Sequence, residues 1–219
     1  MGINNHENNI LKGYNMLLYF AGSMIMHEPS EECVVDFWRN GILKRLPVSS
    51  SNPNFVLAAS QLRESCSDKS ICGKSLREDY LRLFAKDELT LAPAYESVYR
   101  KNDATDSSEN TQSVSDFYSS YGWQSKLKGK INDDHLGIEL LFLTVLIDKY
   151  MQLDDEPCRF EMKREIRRFT STHILPWVSG WNDNVQAFAN TMYYKGIGNL
   201  LVACVEDLDG IFSDQGRLL

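Results

Sequence analysis

The sequence predicts an all-α protein, a single helical domain of about nine to ten helices. Three observations carry this. Apolar residues recur at helical spacing through most of the chain. No segment alternates apolar and polar residues for long, and no hairpin dipeptide separates two strand-like runs. Residues 131–151 (INDDHLGIELLFLTVLIDKYM) are apolar almost throughout, behind a polar start. That run reads as a helix buried on most sides, with the others packed round it. It is shorter than the roughly 20 apolar residues a bilayer span needs.

The helices follow in order. Ile10, Leu11, Tyr14, Leu17, Leu18 and Ala21 mark one face of the first, with Gly22 as its interruption or end and Pro29 beyond it. Ser30 caps a second, with Val34, Val35, Trp38 and Ile42 inward. Residues 47–54 are a loop. Phe55, Ala58, Ala59, Leu62 and Cys66 form the third stripe, and Leu76, Tyr80, Leu83 and Phe84 the fourth. Residues 89–99 (LTLAPAYESVY) are apolar and aromatic without a sustained period, and residues 101–113 are a polar connection. Val114, Phe117, Tyr118 and Tyr121 make a short helix ended by Gly122. Residues 123–130 (WQSKLKGK) are a basic loop into the apolar run.

Beyond that run, Pro157 suits a first helical turn. Met162, Ile166, Phe169 and His173 face inward, and residues 174–177 (ILPW) are a stop. Val185, Phe188, Ala189, Met192 and Tyr193 turn to the core. After Gly196 and Gly198 comes the cleanest stripe: Ile197, Leu200, Leu201, Cys204, Val205 and Leu208. The expected organisation is one domain over 1–219, with lobes 1–122 and 133–219 about a hinge loop at 123–132.

The net charge of −7 excludes an ordinary nucleic-acid binder and suits a cationic partner. Cys33, Cys66, Cys72, Cys158 and Cys204 are odd in number, irregularly spaced and without C-x-x-C, so they read as reduced thiols of a cytosolic protein with no zinc site. The N-terminus lacks the basic and apolar regions of a secretory signal, and His6 stands where myristoylation wants Ser or Thr.

No catalytic signature is present. Gly196-Ile197-Gly198 lacks a third glycine, and there is no phosphate-binding loop and no H-E-x-x-H. His135 and Glu139 share a helix face but lack a third metal ligand. Asp134-His135 has three readings. It is a cap beside a buried imidazole satisfied by a backbone group. It is an acid–base pair. Or it is a carboxylate meeting a cationic ligand at the mouth of an apolar groove. His173 reads as structural, and Glu96 lines a pocket between tyrosines or is solvated.

The blocks LREDYLRLF (76–84), LAPAYESVY (91–99), FYSSYG (117–122), DDHLGIELLFL (133–143) and HILPWVSGW (173–181) stand in this order. Together they resemble the TorD/DmsD family, cytoplasmic maturation chaperones of molybdoenzymes exported by the twin-arginine route. The resemblance implies an all-α TorD-like fold, no enzymatic activity and no cofactor or metal of its own. It implies a cytoplasmic location, no stable membrane insertion, and a monomer or dimer. The implied partner is the catalytic subunit of a molybdopterin-dependent oxidoreductase, held through its twin-arginine signal peptide or in its apo form until the cofactor is inserted. The alternatives are a family paralogue serving a cytosolic metalloenzyme without a signal peptide, and a helical enzyme using His135.

Carried over position by position, the peptide-binding residues are Tyr80, Leu83, Phe84, Pro93, Tyr95, Glu96, Ser97, Gly122 with the neighbouring Trp123, Asp134 and His135. The family's usual Glu-Pro shortly before the D-H pair is replaced here by Ile131-Asn132-Asp133. Physically, an arginine-bearing apolar peptide needs carboxylates for forked hydrogen bonds and an apolar groove for its tail.

Overall fold

The computed structural model describes residues 2–30, 45–65, 69–85, 90–100 and 107–213. Among these residues it is all-α, with no strand and one isolated β-bridge. The helices are α1 (Gly2–Met26), α2 (Pro53–Glu64), α3 (Lys69–Phe84), the single turn α4 (Glu96–Tyr99), α5 (Ser107–Ser120), α6 (Leu136–Gln152), α7 (Glu156–Phe169), α8 (Leu175–Phe188) and α9 (Met192–Ile211). The stripe expected at Val34, Val35, Trp38 and Ile42 lies outside the described residues.

The core is built on two apolar helices rather than one. α6 is buried along most of its length and packs on α1 and α7. α9 is buried from Tyr193 to Ile211 on nearly every side, against α2, α1 and α8. Its six stripe residues, from Ile197 to Leu208, are all fully buried. Gly22 does not end α1; the helix runs on to Met26. The close approach of α1 to α6 depends on Gly137, whereas a Cβ at Gly22 would make only ordinary contacts at 3.7 Å. α1 crosses α6 at Gly137, where an added Cβ would lie 2.7 Å from Met26 Sδ and 3.0 Å from the Gly22 carbonyl oxygen. Gly196 likewise lets α9 press against Leu62 of α2.

Three further expectations are revised. α5 begins at Ser107, inside the stretch read as a polar connection. Phe188 and Met192 are exposed, at 43% and 47%, while Val185, Ala189 and Tyr193 are buried. The chain leaves helical geometry between Ala189 and Thr191, so the helical phase does not carry across. Asp79 of α3, itself buried, secures that break. Its carboxylate accepts hydrogen bonds from the backbone N–H groups of Asn190 and Thr191 and from the Thr191 hydroxyl.

The third revision concerns residues 174–177, which are not a stop. α7 passes through one wide helical turn, Thr170–Ile174, directly into α8. Pro176 explains the widening. It has no N–H to give, and its ring would clash with the carbonyl four residues back, at Thr172. The freed Thr172 carbonyl accepts from Arg100 Nη1 at 2.9 Å. The His173 carbonyl accepts from the Trp177 indole N–H. Cys158 is an exposed free thiol and Cys204 a buried one. No described helix is long and apolar enough to cross a membrane.

Candidate functional site

The loop 90–100 is tied to the start of α6 by a short ladder. Leu136 N–H donates to the Ala94 carbonyl at 2.8 Å, and Glu96 N–H to the Asp134 carbonyl at 2.9 Å. This forms the bridge between Tyr95 and His135, whose rings meet edge to face at 4.9 Å. Ser97 N–H donates to Asp134 Oδ2 at 3.2 Å. At its other end the loop hangs on α3, where Leu91 and Ala92 N–H donate to the carbonyls of Arg82 and Leu83.

His135 is the N-cap of α6: its Nδ1 accepts from the Gly137 N–H at 3.0 Å. Burial, with a smaller contribution from His27, lowers the His135 pKa to about 3, so the ring caps as a neutral acceptor. Of the three readings of Asp134-His135, the cap with a buried, backbone-satisfied imidazole describes the geometry. Asp134 is fully buried, with Oδ1 unpartnered among the described residues, and so does not stand as an open charge at a groove mouth.

Behind the ladder lies a buried cluster of carboxylates. Glu96, Asp134 and Glu139 are each fully buried. Glu96 is paired with Arg100 at 2.5 Å and approached by His173 Nδ1 at 3.3 Å. Glu139 is not on the helix surface, and neither of its oxygens has a well-directed hydrogen bond among the described residues. Burial, then the neighbouring Glu96 and Asp134 carboxylates, push its pKa well above the usual carboxylate range. A neutral acid shared toward Glu96 is the physical resolution of three carboxylates in so little solvent. The Tyr118 hydroxyl is buried against the same cluster, and its pKa is raised well above the ordinary value, chiefly by burial.

Tyr80, Leu83 and Phe84 are buried in the core rather than lining an open groove. Phe84 meets Tyr194 at 5.3 Å and Trp181 at 6.2 Å. Pro93, Tyr95 and Ser97 are half-buried on the loop. Gly122 sits at φ 62°, closing α5 with paired bonds from Gly122 N–H to the Ser119 carbonyl and Trp123 N–H to the Tyr118 carbonyl. Trp123 is half-buried against Tyr118 and Phe142.

Gly122 and Trp123 open a cavity of about 310 Å³, also lined by Ser115, Tyr118, Ser119, Gln124, Lys128 and Asp133. The structure therefore joins Tyr95, Glu96 and Ser97 to Asp134 and His135. It sets Gly122 and Trp123 round a cavity that reaches this seam at Asp133. It holds Tyr80, Leu83 and Phe84 in the packing behind Ala92.

Asp133, Glu139, Arg100, His173 and Tyr118 were not among the expected site residues. A signal existed for two of them. Arg100 stands four residues after Glu96, a helical pair spacing, and Glu139 is a lone acid inside an apolar run.

Residues 52–183 match the family described as "Nitrate reductase delta subunit". The chain is also 27% identical over 143 residues to "Chaperone protein TorD" of Vibrio vulnificus (strain YJ016). That alignment covers 65% of this chain and 66% of the relative, just under two thirds of its length. The family match covers more than half of the chain and takes in α2 to α7, the ladder, the carboxylate cluster and the cavity, so the protein belongs to the nitrate reductase delta subunit family, of the TorD/DmsD type.

Proposed function

We propose that this protein is a cytoplasmic maturation chaperone for a molybdopterin-dependent oxidoreductase. It holds the apo catalytic subunit, through a twin-arginine signal peptide, until the cofactor is inserted. The observation that carries this reading is the seam between the 90–100 loop and α6. Family-matching residues from two distant blocks meet there, beside a cavity that opens on Gly122 and Trp123. Family membership and the relative's description as a chaperone support it. Binding rather than turnover fits His135, whose ring is held neutral as a cap and is poorly placed to move a proton at ordinary pH.

The test is affinity capture of the tagged protein from its native host, with and without molybdate, followed by calorimetry with the captured subunit's leader peptide. The expected result is an oxidoreductase subunit enriched in its apo form, with a saturable heat from the peptide. Capture of the subunit with no peptide binding assigns the protein to a client without a leader. Absence of any oxidoreductase subunit overturns the reading.

A further inference from the structure

The cavity under Gly122 carries both signs of charge. Asp133 is half-buried and set from behind: its Oδ2 accepts from the Ser115 hydroxyl, and its carbonyl from the Tyr118 hydroxyl at 3.0 Å. Its Oδ1 accepts no hydrogen bond from a described residue. The carboxylate is thus oriented and keeps an acceptor to spare. Asp134, one residue on, is buried and given to Ser97. Trp123 lines the same cavity, fixed edge-on by Tyr118 at 4.8 Å. A carboxylate beside an indole suits a guanidinium, which takes forked hydrogen bonds in its plane and stacks through its face.

Lys128 lines the cavity too and is exposed, on a loop that also carries Lys126 and Lys130. An ammonium there disfavours a ligand that brings only positive charge, and rewards one with a carboxylate beside its arginine.

We propose that this cavity receives a peptide segment in which an arginine stands next to an acidic residue. Asp133 takes the guanidinium over Trp123, and Lys128 takes the acid. The proposal rests on the reading that a client's leader segment binds this seam, and it names the charge pattern that seam selects.

Fluorescence anisotropy tests it on the full chain. The probes are a labelled synthetic peptide with Arg-Arg-Asp ahead of a leucine-rich tail, and the same peptide with Asn for that Asp. The wild type binds the Asp peptide more tightly. D133N retains an oxygen for Ser115, so it folds, and it weakens both peptides about tenfold. K128M weakens only the Asp peptide and abolishes the preference. If the wild type binds while D133N binds equally well, or no preference exists for K128M to remove, the cavity assignment is overturned and the signal-segment reading survives. If the wild type binds neither peptide, that reading falls and the assignment falls with it.

Discussion

Ser97 donates its backbone N–H to the Asp134 carboxylate, and Glu96, one residue earlier, donates its own to the Asp134 carbonyl. A single residue thus fastens the aromatic loop to the head of α6 through both side chain and main chain. The carboxylate acts as a strap under the surface. Asp134→Ala leaves the Ser97 N–H without its partner and should destabilise the fold by about 2 kcal/mol. Urea unfolding checks this, with Asp134→Asn expected to retain part of the loss. A wild-type midpoint in the alanine variant would contradict the strap.

Glu139 gives a pH signature. Its folded pKa lies above the ordinary value of 4.5, so the folded chain keeps a proton that the unfolded chain releases. Its favourable contribution is complete below about pH 4.5 and is lost as pH rises through the folded pKa. Glu139→Gln keeps shape and neutrality without that loss. The variant should match the wild type in mild acid and exceed it in stability increasingly toward pH 8, as thermal melts across that range would show. The reverse trend would mean that Glu139 is charged and favourably paired.

His135 slopes the other way. Its pKa is lowered from 6.5 to about 3, so as pH falls the unfolded chain takes the proton first. Stability should decline as pH drops from about 6.5 toward 3. Glu139→Gln is the background in which to see this, because the two slopes oppose one another above pH 4.5. Adding His135→Asn keeps a good N-cap and should flatten the acid limb, while His135→Ala loses about 1 kcal/mol of capping.

Asp79 is a purely structural counterpart. Three donors from the break between α8 and α9 converge on its buried carboxylate. Asp79→Ala should cost about 3 kcal/mol, and differential scanning calorimetry should register a large fall in melting temperature. It should leave the affinity of the folded protein for its client peptide unchanged, since the Asp79 carboxylate bonds to the α8–α9 break and to the Arg82 side chain, and not to the α6 ladder.

The helical fold was legible because burial is periodic. Leu76, Tyr80, Leu83 and Phe84, and the stripe from Ile197 to Leu208, lie at helical spacing and are all buried. Less legible was whatever depends on a partner far away in sequence. Gly22 looks like a terminator until Gly137 is set against it. Pro176 looks like a stop until its displaced Thr172 carbonyl is found on Arg100. The seam at Asp134 and His135 was marked by its odd chemistry beside an apolar run. Which carboxylate stays accessible, Asp133 and not Asp134, depends on which one the 90–100 loop covers, and local sequence carries no such information. Glu139 shows the same limit: four residues from His135 it suggests a surface pair, but helical phase within an all-round apolar segment does not say which face is wet.

The central claim is that the seam between the 90–100 loop, the Gly122 turn and α6 receives a client's leader segment. Hydrogen exchange with mass spectrometry, with and without saturating leader peptide, tests it most directly. The account predicts slowed exchange confined to residues 94–98 and 118–136. Unchanged exchange there, with protection on another face, would contradict it.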